Sequence, residues 1–186
     1  MLATQILMEE HRVIERVLTA LQRAADRLAE GAQIRPSFFL NAALFIKYFA
    51  DGCHHRKEEG VLFVAMQESG VPREGGPLGV MLAEHEQGRA FTREMKDAAE
   101  KWEKGDLSAR STVVHNARSY VTLLRQHIHK EDNILFPMAD QMIPPAKQEE
   151  VAEKFEKVEH EETGEGVHEK YLALAEVLEK ESQAQT

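Results

Sequence analysis

The sequence contains few cysteines, prolines, glycines and aromatic residues. Its 186 residues include one cysteine, six prolines and eleven glycines, and aromatic residues make up 6% of the chain. The single cysteine, Cys53, excludes an internal disulfide and is typical of the reducing cytoplasm, where we expect this protein. Because helix breakers are scarce while Ala, Leu, Glu, Lys and Gln are abundant, the composition favours long helices over strands.

Positively charged residues are outnumbered by negatively charged ones, 23 to 32, and long apolar runs are scarce. The net charge is -9 with His counted neutral, so we expect no charge-driven binding to nucleic acid or to an anionic membrane. The first residues, MLATQILMEEHR, place acids directly after a short apolar stretch. This pattern fits neither a signal peptide nor a membrane span. Hydrophobic residues at 42% and charged residues at 30% are typical of a globular protein.

Glycines and prolines divide the chain into five helical stretches. The predicted bounds are 4–30, 36–69, 78–104, 106 or 108 to 142, and 146–180, with an interruption of the last stretch at Gly164-Glu165-Gly166. Four long helices joined by short or moderate loops predict an all-α, up-down-up-down four-helix bundle over residues 1–145. Residues 146–186 are predicted to form an additional C-terminal helical segment that packs on the bundle.

Part of the sequence is repeated. Residues 54–63 read HHRKEEGVLF and residues 127–136 read HIHKEDNILF, so that His, Lys, two acids and Leu-Phe recur in one register. A weaker repeat relates LMEEHR around His11 to MLAEHE around His85. The repeats predict two related helical hairpins, each with Glu-His on its first helix and His-x-x-x-Glu on its second.

Several polar residues occupy apolar helical stripes. His127 and Glu131 lie one turn apart in the middle of such a stripe, and His11 and His85 lie in similar positions on two other helices. Burying an unpaired imidazole or carboxylate costs several kcal/mol, roughly, so these side chains need partners. Each could be hydrogen-bonded to a neighbour, but a metal cluster would satisfy all of them together. The mixed set of nitrogen and oxygen donors favours a pair of iron ions, with manganese or zinc as possible substitutes.

The second helix offers two registers for its ligands. The repeat selects His54 with Glu58, whereas the apolar stripe of this helix runs more directly through His55 and Glu59. We give the repeat more weight. A wide inner face can include both pairs, because neighbouring positions are separated by about 100°.

The order and spacing of these residues resemble those of a known protein family. Their order, and the segments FADGCHHRKEEGVLF, MLAEHEQGR and HIHKEDNILFP, resemble the HHE cation-binding motif of hemerythrin-like proteins of bacterial type over about residues 5–140. The resemblance implies a four-helix bundle with a carboxylate-bridged diiron centre. Carried over by position, it implies terminal nitrogen ligands at His11, His54, His85 and His127 and bridging carboxylates at Glu58 and Glu131.

One departure from the oxygen-carrying hemerythrins affects the expected ligand set. Those proteins have two histidines one turn apart on the third helix, whereas here Arg89 follows His85 by four residues. The change puts reversible oxygen carriage in doubt and leaves one ligand to be supplied from elsewhere. The candidates for this ligand are His55, Glu59, Glu159, His160 and His168. Among them His168 stands out, because the glycine break could turn the last helix back onto the bundle. The His-x-x-x-x-Asp spacing of the oxygen carriers adds Asp132 as a candidate.

The resemblance implies a non-haem diiron protein that binds or senses dioxygen, nitric oxide or peroxide. The alternatives are a diiron enzyme that turns over peroxide or nitric oxide, an iron-handling protein, and a structural bundle with incidental histidines. The sequence contains no nucleotide loop or second catalytic constellation that commits it to an enzymatic role. We expect a small molecule, rather than nucleic acid or a membrane, as its partner.

Overall fold

The computed structural model describes residues 2–163 and 166–184, apart from the side chains of 161–163. Within these residues the chain is helical, with no strand, which confirms the predicted all-α class. We number six helices, α1 to α6, in chain order. The predicted interruption of the last stretch falls on Gly164 and Glu165, outside the described residues, while Gly166 adopts a left-handed φ of 76° just before α6.

Three of the six helices are α-helical and three include wider, π-helical segments. The first group is α1 (Ala3–Ala29), α3 (Pro77–Glu103) and α6 (Val167–Gln183). In the second group, α2 begins as Pro36–Phe45, passes through the π-helical segments Ile46–His55 and Glu58–Leu62, and ends as Phe63–Glu68. Helix α4 comprises Arg110–Lys130, the π-helical Glu131–Leu135 and Phe136–Met142, and α5 comprises Pro145–Lys157 and the π-helical Val158–Thr163.

The helix ends follow the breakers that the sequence indicated. Proline occupies the first turn of α2, α3 and α5, where its fixed φ suits a helix and its missing N–H is not needed. Gly31 and Gly105 follow α1 and α3 with φ values of 91° and 104°, a conformation that other residues rarely adopt. Helix α4 starts later than predicted, at Arg110, because residues 107–109 form a 3₁₀ turn in which Asp106 accepts the Ser108 N–H at 3.0 Å.

The core consists of two apolar clusters at opposite ends of the bundle. The first takes residues from the carboxyl halves of α1 and α3 and the amino halves of α2 and α4. The second takes residues from the opposite half of each of these helices. Consecutive helices therefore run antiparallel, which confirms the up-down-up-down arrangement.

The C-terminal segment packs against both ends of the bundle. Val151 and Phe155 of α5 belong to the second apolar cluster, while Tyr171, Ala175 and Leu178 of α6 belong to the first. The exact boundary between bundle and segment at residue 145 stays a prediction. In the described part of the chain, each helix is either too short or too polar to cross a bilayer. The cytoplasmic location likewise stays a prediction.

Shortening a side chain in the first cluster should destabilise the fold. Phe39 is fully buried, and its ring centroid lies 5.3 Å from that of Phe38 and 6.1 Å from that of Trp102. We expect Phe39→Ala to lower the free energy of unfolding by about 3–5 kcal/mol, since it removes apolar contacts and leaves a cavity. Urea denaturation measures the loss. The control, Leu107→Ala, truncates a side chain that is 60% exposed and should change stability by less than about 0.5 kcal/mol. Equal losses in both variants would contradict this placement of the core.

Candidate metal centre

Seven buried side chains converge between the two apolar clusters and form two overlapping groups. In each group the potential ligand atoms all lie within 4.8 Å of one another. The two-histidine group consists of His11, His54, Glu58 and Glu131, and the three-histidine group consists of His55, His85, His127 and the shared Glu58.

The two carboxylates each face both groups. Glu58 places Oε1 3.3 Å from Nε2 of His54 and Oε2 3.4 Å from Nε2 of His85. Glu131 places Oε2 3.2 Å from Nε2 of His11 and Oε1 3.1 Å from Nε2 of His127. One oxygen of each carboxylate therefore points toward each group, which is the arrangement required of a carboxylate that bridges two ions.

All five imidazoles are oriented by a second carboxylate on the far side of the ring. Each Nδ1 lies within hydrogen-bond distance of a carboxylate oxygen, so that Nδ1 donates and Nε2, once deprotonated, is an electron-pair donor facing inward. Such pairing fixes both the tautomer and the ring angle. The pairs are His11 with Asp132 (2.7 Å), His54 with Glu10 (2.9 Å), His55 with Asp51 (2.9 Å), His85 with Glu59 (2.7 Å) and His127 with Glu84 (2.8 Å).

Cationic side chains hold these outer carboxylates in turn. The pairs are Lys57 with Glu10, Lys130 with Glu84, Arg12 with Asp132, and Arg89 with both Glu59 and Asp51. Among the described residues, Glu58 and Glu131 form ion pairs only with histidines. These five carboxylates and the four cationic side chains form an outer layer around the imidazoles, and its charges nearly balance. The centre, by contrast, holds two negative charges that lack a Lys or Arg partner.

The centre also contains buried polar atoms that approach one another but form no well-directed hydrogen bond. Within the described residues these include both carboxylate oxygens of Glu58 and of Glu131, and Nε2 of His11 and of His54. Each such atom costs about 1–3 kcal/mol when left unsatisfied. Divalent cations would bind all of these atoms and neutralise the charge. Imidazole and carboxylate are common ligands for iron in helical bundles, so the residues present fit a metal pair.

The loose winding of α2 explains how neighbouring histidines enter both groups. In π-helical segments the backbone hydrogen bonds run from residue i to i+5, and such segments are often found at functional sites. One such segment ends at His55 and the next begins at Glu58. Across them, His54 faces His11 at 4.6 Å between ring centroids, and His55 stacks on His85 at 3.9 Å.

The structure brings together every residue of the principal predicted set, together with His55. Both histidines of α2 reach the centre, so the two registers that the sequence offered are not exclusive. Glu59 instead points outward to His85. Arg89 does not replace the expected histidine as a donor, but binds the carboxylates behind His55 and His85. The ligand role of these residues stays a prediction.

Three other candidates for the ligand that Arg89 does not supply lie outside both groups. His160 is exposed. Glu159 and His168 form a third group with Glu10 and Cys53. Lys57 already donates to Glu10 at 2.6 Å and to Glu159 at 2.8 Å in this group. Because a buried ammonium already binds both carboxylates, the third group is poorly suited to a further cation.

The roles of the carboxylates and cations in the outer layer were not predicted from the sequence, although the repeats contain a signal for them. Glu10 precedes His11 as Glu84 precedes His85, and Lys57 has the same register in the repeat as Lys130. In the structure these pairs are equivalent, since each glutamate binds the histidine Nδ1 of the next helix and the lysine three residues beyond it.

The electrostatics of the metal-free centre favour protons on three histidines. Burial lowers the pKa of His11, but its hydrogen bonds with Asp132 and Glu131 outweigh burial and raise it. Burial opposes the charged form of His54, but Glu58 and Glu10 outweigh burial and raise its pKa to about 10. Burial likewise opposes protonation of His127, whose pKa Glu131 and Glu84 raise to about 9. Burial, with the neighbouring His85, lowers the pKa of His55.

Metal uptake at pH 7 should therefore release about two to three protons per chain, because the ligand nitrogens of His11, His54 and His127 must be deprotonated. In the metal-free protein, the raised pKa values of His54 and His127 contribute stability that is complete below pH 6.5, the usual His value, and is lost as pH rises through about 9 and 10. Metal affinity should rise over the same range. Calorimetric titration with Zn²⁺ in buffers of different ionisation enthalpy measures the protons released. Uptake without proton release would contradict these protonation states.

The sequence of the chain is similar to those of known proteins. The family model described as the hemerythrin HHE cation binding domain matches residues 2–139. Uncharacterized proteins from Mycobacterium bovis and Mycobacterium tuberculosis are 26% identical to the chain over 163 residues. The alignment covers 88% of this chain and 63% of each relative, so the chain spans less than two thirds of their length. No solved structure matches the chain with significant similarity.

Proposed function

The chain belongs to the hemerythrin HHE cation-binding domain family, and on this basis we propose that it is a non-haem diiron protein that binds or senses dioxygen, nitric oxide or peroxide. The observation that carries the proposal is the unequal division of five inward-facing imidazoles between two groups that share Glu58, with Glu131 in contact with a histidine of each group. Two ions are proposed because each shared carboxylate presents one oxygen to each group.

The donor set supports iron over the alternative ions. Structural zinc is usually held in a closed tetrahedron, often with thiolates, whereas these groups are built from imidazole and carboxylate. The only cysteine, Cys53, belongs to the third group. Mixed nitrogen and oxygen ligands in a helical bundle are typical of diiron and dimanganese proteins. Manganese therefore remains the chief competitor for the site.

The count of donors suggests where a small molecule would bind. Three imidazoles and two shared carboxylates give the three-histidine position five donors, whereas the two-histidine position has four. The position at His11 and His54 thus retains more room for an added ligand. A reduced iron pair, when bound, supplies the electrons and the open coordination position that these small molecules require.

The outer layer favours binding over proton-coupled turnover. Each carboxylate behind an imidazole is already paired with that imidazole and with a cationic side chain. These pairings direct all five carboxylates at the rings that they orient rather than at the space between the two groups. We therefore propose that the protein binds or senses its small molecule, with steady turnover of peroxide or nitric oxide as the competing outcome.

Iron loading tests this function. Protein loaded with Fe²⁺ without oxygen should retain two ions per chain and give a new absorption band on exposure to dioxygen, nitric oxide or peroxide. We expect His54→Ala to weaken the band, because it removes one of only two imidazoles at the proposed binding position. Absorption spectra and metal analysis make the measurement. Failure of the wild type to retain two ions would contradict the diiron proposal, and steady consumption of peroxide or nitric oxide would favour an enzyme.

Substitution of His55 tests whether this residue is a metal ligand, which the sequence left undecided. We expect His55→Ala to lower the affinity of the tighter ion at least tenfold, since it reduces the three-histidine position to two imidazoles. Competition with a chelator measures the change. The matched control is His129→Ala, which removes an exposed histidine bonded to Asn133 and should leave both affinities unaltered. Wild-type affinities in His55→Ala would contradict its place in the ligand set.

A further inference from the structure

A largely buried chain of polar contacts connects the two-histidine position to the C-terminal segment. His54 Nδ1 lies 2.9 Å from Glu10 Oε2, and Lys57 Nζ donates to Glu10 Oε1 at 2.6 Å. The same ammonium donates to Glu159 Oε2 of α5 at 2.8 Å. One carboxylate of the segment is therefore three contacts away from an inward-facing imidazole.

The internal repeat provides a comparison for this chain of contacts. Lys130 binds Glu84 behind His127 as Lys57 binds Glu10 behind His54. The side chain of Lys130, however, is 33% exposed, whereas that of Lys57 is fully buried. The difference arises because α5 covers Lys57, with Glu159 in contact and the Phe155 ring centroid 6.0 Å from Nζ.

Burial makes Lys57 depend on both of its carboxylates. An ammonium without water requires compensating charge, and leaving one unpaired costs several kcal/mol, roughly. Glu10 is shared between Lys57 and His54, so it supplies only part of that charge. Without Glu159, the ammonium of Lys57 has only Glu10 as a carboxylate partner and must shift toward Glu10 or toward water. Either shift moves the Glu10 carboxylate, whose other oxygen faces His54.

We propose that Glu159 and Lys57 are positioning residues of the two-histidine position, and that docking of α5 and metal binding at His11 and His54 strengthen each other. The inference rests on the proposed two-ion centre. It assigns a role to Glu159, which lies outside the range matched by the family model, 2–139. Coupling of this kind is reciprocal, so it has a consequence at each end.

The first consequence is a selective loss of metal affinity. We expect Glu159→Gln to weaken the second of two bound Co²⁺ ions by about 10–100-fold, the usual effect of removing a residue that orients a ligand. The tighter ion, assigned to the three-histidine position, should be unaffected. Chelator competition followed by Co²⁺ absorption measures each step in the full chain.

A matched control separates this role from general docking of the segment. Glu179 of α6 pairs with Arg16 of α1 at 2.7 Å, on the surface and away from the centre. Glu179→Gln removes a salt bridge between the segment and the bundle and should leave both Co²⁺ affinities unchanged, while Glu159→Asp should restore part of the loss. Equal affinities in wild type and Glu159→Gln would overturn the inference alone. A wild type that fails to bind two ions would instead overturn the proposed function.

The second consequence is a change in hydrogen exchange that can be measured in the wild-type protein. Co²⁺ loading of the wild type should slow hydrogen exchange at the amides of α5, because metal at His54 stabilises the contact through Glu10 and Lys57. In Glu159→Gln the slowing at α5 should be lost, while protection of α1 and α2 by metal persists. Exchange at α5 that does not respond to metal in the wild type would overturn the coupling.

Discussion

Two carboxylates in the middle of the bundle constrain the rest of this structure. Glu58 and Glu131 are fully buried, and among the described residues their ion pairs are with histidines alone. Two negative charges removed from water require positive charge nearby, either protons on the imidazoles or metal ions between them. The raised pKa values of His54 and His127 express this need in the metal-free protein. A metal pair meets the same need and also satisfies the oxygen atoms.

The layers around the centre follow from that requirement. Imidazoles surround the two carboxylates, a second set of carboxylates fixes the imidazoles, and four lysines and arginines balance the second set. The two hairpins build these layers in nearly the same way, since Glu10 and Lys57 are matched by Glu84 and Lys130. Two features break the symmetry: His55, which gives one group a third imidazole, and the C-terminal segment, which buries Lys57. The proposed difference between the two metal positions depends on both.

Much of this arrangement could be predicted from the sequence. Breakers located the helices, and histidines in apolar stripes indicated a buried polar centre, because period and burial are local properties of a sequence. Other parts could not be predicted in the same way. The choice between His54 and His55 assumed α-helical winding, but α2 is π-helical there and presents both. The pairing of Glu159 with Lys57 depends on how a distant helix docks, which no local pattern records.

The central claim is that seven side chains hold two metal ions in unequal positions. Anomalous diffraction from crystals of the iron-loaded protein, collected on both sides of the iron absorption edge, tests it most directly. The account predicts two peaks, one bound by His11 and His54 and the other by His55, His85 and His127, with Glu58 and Glu131 between them. A single peak, or a peak at Cys53 and His168, would contradict it.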